Sequence, residues 1–464
     1  MELHPWMPNS DPRILAEMLE AIGVDSIGEL YSDIPGEARF KGDWDRLPVG
    51  EGGPLPEGRV AEVLEGHISR ITRLRAPPFM GGGVWPHLVP EVVRHVSALG
   101  QILTSYTPYQ AESSQGVMQA LFEYQSMVAD LLEMDVVNSS MYDWSTALAE
   151  AGLMALRVTK RSTILVPEAM NPRHRKVLEA YLEPVGGVVR PVKVDPRTGQ
   201  IDLEDLEGKA GRDVAAVYLE QPGYLGQIEE EAGVVGEIAH RAGALYIMGV
   251  EPISMALLKP PGRLGADIAV GEGQPLGLGL NYGGPYLGIF AVAWNGRLVR
   301  QMPGRIIGLT RDAAGRRAFA MILQTREQHI RRARATSNIT TNEALMAIRA
   351  AAYLTLLGGE GLRRLAETIW YNSHYLASRL SEIPGVEAPL LDSEFIADFT
   401  VRLPAGFKET RKRLLAKGYA AGIPLEGHTP WLTPNDGLLT ATEAHEERHI
   451  DGLVEALAEV LGVQ

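Results

Sequence analysis

The chain has 464 residues, 45% of them apolar, enough for two domains with a substantial core. It contains no cysteine, which excludes disulfides, thiolate metal sites and cysteine nucleophiles together. A net charge of -14 argues against nucleic acid or an anionic membrane as partner, and with no long apolar run and no basic-then-apolar leader the expected location is cytoplasmic.

Residues 1–78 read as an arm of small helical elements. Asp11-Pro12 opens a helix carrying Ile14, Leu15, Met18, Leu19 and Ile22, Gly23 stops it, and residues 51–56 form a turn-rich break. Such an arm is more often a packing clamp on a neighbouring subunit than a catalytic element. Gly81, Gly82 and Gly83 follow, and three consecutive glycines permit positive φ or close backbone approach. They lack the strand-then-helix setting of a dinucleotide site.

The stretch 104–152 is the most informative. A polar loop carries Tyr106, Thr107, Pro108, Tyr109 and Gln110, and a long helix follows. Ser113 or Ser114 is placed to cap it, with Val117, Leu121, Val128 and Leu131 on one face. Asn138-Ser139-Ser140 repeats the device before the small-residue helix from Thr146. Two hydroxyl-led helix N-termini are two potential anion seats, and tyrosines and amides are poor choices for a mere connector.

From Ser162 strands and helices alternate: STILVPEA, a helix from about Arg173 to Leu182, VVRPVKVD, VAAVYLEQP, a helix from about Gly233 to Ala242, ALYIMGVEP and DIAVGEG. The alternation predicts an α/β domain on a mostly parallel sheet covered on both faces, with ligands beyond the strands' C-terminal ends. Asn171, Gln221 and Glu251 stand at three such ends, so a shared cleft is expected there. After about Arg331 the pattern changes to long helices, from Thr341 to Leu357 and from Gly361 to Leu380, then to a strand and helix, FIADFTVRLP and FKETRKRLLAKGY. The expected division is therefore an arm over 1–78, a large α/β domain over 79–335 and a smaller C-terminal α+β domain over 336–464.

Four segments, TSYTPYQAESSQG, NSSMYDWSTALAEA, GADIAVGEGQPLGLGLNYGGPYLG and EQHIRRARATSNITTNEAL, together resemble the first subunit (alpha, or N-terminal half) of glycine decarboxylase, the P protein of the glycine cleavage system. The resemblance runs from the arm to beyond Leu345. It implies the fold type I architecture of pyridoxal-phosphate enzymes, like that of aspartate aminotransferase. Where that family carries an aromatic and an acid around His87, this chain has Trp85 and Pro86, which puts a role for His87 in doubt.

An enzyme of that kind holds its cofactor as an imine on a lysine amine and pairs the ring nitrogen with an acid. The nine lysines are Lys41, Lys160, Lys176, Lys193, Lys209, Lys259, Lys408, Lys412 and Lys417, and none is well placed. The resemblance sets Pro275, after Gln274, where the lysine-bearing homologue has its amine, and Glu251-Pro252 where an aspartate precedes proline. Lys259 is the remaining nearby candidate, on a Pro-Pro-Gly loop before the strand DIAVGEG. The chain's own pocket, with Ser139, Ser140, Asn171, Gln221, Glu251, Gln274 and Pro275, is thus expected to be vestigial, with no catalytic residue acting within this chain alone.

The resemblance then implies a subunit of glycine dehydrogenase (aminomethyl-transferring, decarboxylating) that works with a homologous lysine-bearing second subunit, two of each chain in the complex. Pyridoxal phosphate is expected covalently on that partner, with none on this chain. The substrate is glycine, and the aminomethyl group passes to the lipoyl arm of the H protein. Tyr106, Thr107, Tyr109, Gln110, Ser113 and Gln115 are the residues expected to reach the partner's pocket. His329, Arg331, Arg332 and Arg334, ahead of Thr336-Ser337-Asn338, read as interface ion-pairing groups first and a seat for an acidic carrier second. Two other readings stay open: a stand-alone pyridoxal-phosphate lyase using Lys259, and a purely structural partner that stabilises the second subunit.

Overall fold

A computed structural model describes residues 4, 6–42, 55–337, 339 and 343–463. The chain divides after Thr72 into two compact units. In the first, Asp11 caps the helix Pro12–Ile22 by accepting from the Arg13 N–H, and Gly23 ends it in the left-handed conformation at φ 83°. A second helix spans Glu57–Ile68. The expected break over 51–56 falls mostly outside the described residues. No described residue of this unit is buried, so Ile14, Met18 and Ile22 make an apolar helix face without a core.

The second unit holds a seven-stranded sheet. In chain order its strands are β1 (Val136–Val137), β2 (Thr163–Pro167), β3 (Val188–Val192), β4 (Val214–Gln221), β5 (Leu245–Val250), β6 (Ile268–Glu272) and β7 (Gly288–Val292). Their order across the sheet is β1-β7-β6-β5-β4-β2-β3, parallel from β6 to β3, with β7 antiparallel to β6 and β1 antiparallel to β7. The strands read as continuous apolar runs because alternate residues enter different cores. Leu165, Val217, Leu219, Tyr246 and Met248 pack with the helices Gln115–Leu132 and Ala232–Arg241. Ile164, Val166, Ala216, Tyr218 and Ile247 pack with the helices Trp144–Thr159 and Pro172–Leu182. Each fully buried Leu, Ile or Val stabilises by about 1.5–3 kcal/mol relative to exposure, so a strand bearing such residues on both faces cannot sit at a solvent boundary.

Along the helix Gln115–Leu132 the buried positions are Met118, Leu121, Tyr124, Gln125, Val128 and Leu132, so the apolar stripe lies slightly round from the one its valines and leucines suggest. Two of its glutamines grip an antiparallel hairpin, β8 (Ile306–Arg311) with β9 (Arg317–Ile322). Gln125 donates to the Ile307 carbonyl at 3.0 Å and accepts from its N–H at 2.9 Å. Gln115 does the same with Phe319, at 2.8 and 2.9 Å.

The long helix Ala344–Ser381 is interrupted at Gly358 (φ 60°, ψ -178°), close to where the sequence separates two helices. The expected start at Thr341 lies outside the described residues. Its first half joins the core beneath the large sheet, and Leu376, Ala377 and Leu380 join a separate core with Phe79, Phe399, Phe407, Ile450 and Leu453. That second core lies against the antiparallel strands β10 (Asp398–Arg402), β11 (Ile423–Pro424) and β12 (Asp436–Thr440), ordered β10-β12-β11. His87 Nδ1 pairs with Glu443 at 2.9 Å, and Leu88 N–H donates to the same carboxylate at 2.8 Å, fixing the glycine-rich segment to this region. Burial disfavours the charged imidazole, yet the charge and hydrogen bond of Glu443, with the charges of Glu251 and Asp398, together outweigh it and raise the His87 pKa. Among the described residues no helix is long and apolar enough to cross a membrane, and no acid–histidine group could hold a metal ion.

Candidate functional site

The C-terminal ends of β2, β4 and β5 meet at a cavity of about 40 Å³ whose lining includes Gly82, Trp85, Trp144, Asn171, His174, Glu220, Glu251 and Asp398. Its polar groups face one another. The Trp144 indole N–H donates to the Tyr218 hydroxyl at 3.1 Å, and that hydroxyl donates to Glu220 at 3.2 Å. Glu220 also pairs with His174 Nδ1 at 2.9 Å and accepts from the Asn171 N–H at 3.1 Å. Asp398 accepts from the Gly82 N–H and the Trp85 indole, each at 3.0 Å, and burial pushes its pKa up to about 6. The glycines permit this closure, since a Cβ on Gly81 would sit 1.9 Å from the Asp398 carboxylate.

Of the three expected strand-end residues, two come together. Asn171 caps the helix Pro172–Leu182 through the Arg173 N–H and donates to the Gly82 carbonyl. Glu251 lines the cavity, but its carboxylate is turned back on its own loop, accepting from Ile253 N–H, Ser254 N–H and Ser254 Oγ at 2.9, 2.7 and 2.6 Å. Gln221 points elsewhere, its amide paired both ways with the Glu229 backbone. The neighbouring Glu220 lines the cavity instead. Gln274 holds Trp85 by its N–H and carbonyl, and Pro275 is buried behind it.

The hydroxyl-led anion seats are not built as expected. Ser114 is the N-cap of the first helix without a side-chain bond, and Ser113 Oγ turns to the Gln110 carbonyl. The second helix begins at Trp144 and is capped by Asp143, whose carboxylate accepts from the Thr146 N–H at 2.7 Å. Ser139 and Ser140 lie before this turn: Ser139 N–H donates to the Arg305 carbonyl, and Ser140 Oγ accepts from the Glu343 N–H. A chain carboxylate already occupies the helix end. Glu272, at the end of β6, accepts from the Gln274, Leu287 and Trp144 N–H groups at 2.9, 3.1 and 3.3 Å. Burial pushes its pKa up to about 8, against the pull of those donors.

The pyridoxal phosphate implied by the resemblance does not fit this cleft. Pockets for small molecules start near 300 Å³, roughly an order of magnitude above the space here, which suits about one water. No lysine lines the cavity. Lys259 is exposed on the loop before β6. The fit fails because Trp144, His174 and the glycine-rich segment fill the room, while the Glu272 carboxyl oxygens already accept from the Trp144 N–H at the helix end.

A second polar site lies on the outside. Tyr109 is 47% exposed, and its hydroxyl accepts from an Arg305 guanidinium N–H at 2.8 Å, with the guanidinium 5.4 Å from the ring centroid. Arg305, its side chain 4% exposed, reaches Glu327 at 3.4 Å. Glu327 lies 3.6 Å from His329, whose ring meets the edge of Tyr109 at 5.4 Å. Burial raises the Glu327 pKa, with Arg305 and His329 opposing it. These side chains border a cup of about 270 Å³. Tyr106 is exposed on the same loop with Gln110 and Ser113, Thr107 is half-buried, and Gln115 is committed to the hairpin. Arg331, Arg332 and Arg334 are exposed, Arg331 donating to the Thr325 carbonyl. Asn338 lies outside the described residues.

The sequence reading missed Glu220, Glu272, His174, Arg305 and Glu327. Glu272 carried a usable signal, an acid ending an otherwise apolar strand. Arg305 stood alone among apolar residues and glycines, and its partners are far away in the chain.

The sequence pattern of the family described as glycine cleavage system P-protein matches residues 7–457. The chain is 63% identical to a protein of Aeropyrum pernix named "Probable glycine dehydrogenase (decarboxylating) subunit 1", over 99% of each chain. A protein of the same name from Staphylothermus marinus is 52% identical, again over 99% of both. Among solved structures, a glycine decarboxylase (P-protein) of the glycine cleavage system, in inhibitor-bound form, superposes with a TM-score of 0.83 at 41% identity, over 99% of this chain and 100% of that one. On the strength of these matches and of a shared architecture, this chain belongs to the glycine cleavage system P-protein family.

Proposed function

We propose that this chain is subunit 1 of a glycine dehydrogenase (decarboxylating), and that it works by completing the pocket of a homologous, lysine-bearing second subunit. The observation that supports this best is the filled cleft: about 40 Å³, with no lysine and its acids bonded to neighbouring protein groups. A member of this family without room or amine for its own cofactor must act through a sister chain. Pyridoxal phosphate is then held covalently on that partner, where it supplies the electron sink for loss of carbon dioxide from glycine. The aminomethyl group leaves on the lipoyl arm of an H protein, and the assembly holds two of each chain.

In this reading the chain is an arm over 1–78, a large domain over 79–335 and a small one over 336–464. The arm's unburied helix face covers the sister chain. The loop with Tyr106, Thr107, Tyr109, Gln110 and Ser113 faces the sister chain's pocket, where phenol rings exclude water and their hydroxyls bond the bound anions. Gln115 acts one step removed, by fixing the loop's exit to β9.

Co-expression with the lysine-bearing homologue, followed by sizing and glycine–bicarbonate exchange, tests the proposal. Exchange is expected from the assembled complex alone. Pyridoxal phosphate fixed by borohydride to this polypeptide by itself, and lost in Lys259→Ala, would overturn it in favour of the stand-alone reading. An active complex indifferent to both Tyr106→Phe and Tyr109→Phe would leave only a structural role.

A further inference from the structure

We infer that Arg305 is a positioning residue that makes Tyr109 a hydrogen-bond donor toward an oxyanion of the sister chain's pocket. The inference rests on the reading that Tyr109 faces that pocket. A guanidinium has only donors, so the 2.8 Å contact fixes the Tyr109 oxygen as acceptor on that side and leaves the phenol's own hydrogen to point elsewhere. Tyr109 is 47% exposed and borders the cup, which gives that hydrogen an outlet away from Arg305. The group it meets must accept.

Two further observations make that group anionic and the arrangement rigid. Residues 297–334 carry ten arginines and no lysine against Asp312 and Glu327, in a chain whose net charge is -14, and Arg331, Arg332 and Arg334 of this basic segment are exposed beside His329 in the sequence, so an anion is the better-matched acceptor. Arg305 is held from both sides: Glu327 reaches its guanidinium, and its carbonyl accepts from the Ser139 N–H at 2.7 Å. Through Gln125 and Gln115, the strand that follows Arg305 and the strand beside it are tied to the helix that follows the tyrosine loop. Donor and loop therefore share one frame, so little reorganisation is needed when the anion arrives. A carboxylate of glycine and a phosphate of the cofactor present the same oxyanion chemistry.

The test is a double-mutant cycle in the assembled complex with Tyr109→Phe, Arg305→Lys and both together, after sizing shows each to assemble. Exchange gives kcat/KM, and the cofactor-stripped complex is titrated by absorbance with pyridoxal phosphate and, separately, with pyridoxal. Each single change is expected to lower kcat/KM about ten-fold, as for loss of a hydrogen bond to a charged group, and the pair no further than Tyr109→Phe alone. For a phosphate partner, affinity for pyridoxal phosphate falls by that factor while affinity for pyridoxal holds. For a carboxylate partner, both affinities hold and KM for glycine rises. Losses that multiply in the double variant, or an Arg305→Lys complex equal to the unaltered one, would overturn the inference while leaving the loop reading intact. No effect of Tyr109→Phe in an active complex removes both. If Arg305→Lys does not assemble, Glu327→Gln replaces it in the cycle, and additivity with Tyr109→Phe there counts against the inference equally.

Discussion

If the cleft at the strand ends is a plug, cutting out one of its two tryptophans should cost stability and leave the chemistry alone. Trp144 is 5% exposed, its indole N–H holds Tyr218, and its ring lies 4.7 Å from His174. Trp144→Ala removes the ring and frees the Tyr218 oxygen from its donor, a core truncation worth about 3–5 kcal/mol. The unit from Arg73 to Gln464 unfolds with an entropy of roughly 2.1 cal/mol/K per residue, about 0.8 kcal/mol/K in all, so Tm should fall by about 5 °C. Trp144→Phe keeps most of the volume and should fall by about 1–2 °C, from the lost indole hydrogen bond alone. Thermal unfolding followed by circular dichroism reads both. Glycine–bicarbonate exchange by the assembled Trp144→Ala complex, measured well below its Tm, should stay within about two-fold of the unaltered complex, because no transition-state contact has been removed. An assembled variant that keeps its secondary structure and yet loses exchange as severely as Tyr109→Phe would refute the reasoning, since the cleft would then belong to the active machinery.

Two further outcomes follow from buried groups. Burial pushes the Glu229 pKa up to about 7 from a usual value near 4.5, so the folded state holds the proton more tightly than the unfolded state. Its contribution is therefore fully present below pH 4.5 and is lost as pH rises through 7, about 3 kcal/mol in all, and Glu229→Gln should flatten that part of the urea-denaturation profile. A profile unchanged by the substitution contradicts the assignment. Gly226 sits at φ +99°, and a Cβ there would lie 2.2 Å from the Asp398 carbonyl oxygen. Gly226→Ala should then destabilise by about 2 kcal/mol or more from strain at positive φ and the backbone clash, and a urea midpoint equal to that of the unaltered chain would count against the close approach.

The strands were legible because they are buried on both faces: VAAVYLEQ and IAVGE are apolar without a break up to Glu220 and Glu272. The Pro12–Ile22 helix was legible at both ends because Asp-Pro and Gly are local signals that act within a turn. Failures came where distant segments compete for one group. Ser113 and Ser114 have the right chemistry for a cap, yet Ser113 bonds the carbonyl of Gln110. Ser139 and Ser140 are displaced from the helix start by Asp143, three residues ahead of Thr146, which makes the stronger reciprocal cap. The filling of the cleft could not be read, because Trp144, His174 and Glu220 are separated by 30 and 46 positions in the chain and meet only through the sheet.

The plug and the outer cup are parts of one structure. Glu272 ends β6 and holds the start of the Trp144–Thr159 helix, and the turn before that helix holds Arg305 through the Ser139 N–H. Asn138 donates to the Pro303 carbonyl in the same loop, two residues from Arg305. A cofactor bound in the cleft would have to compete with Glu272 for the Trp144 backbone N–H, and so would disturb the base on which Arg305 and Tyr109 rest. By filling the cleft with its own side chains and placing a carboxylate at the helix end, the fold makes the cup's geometry independent of any ligand within this chain. Under the proposed function, the outer tyrosine is then preorganised before the sister chain arrives, and its contribution does not vary with cofactor supply to this subunit.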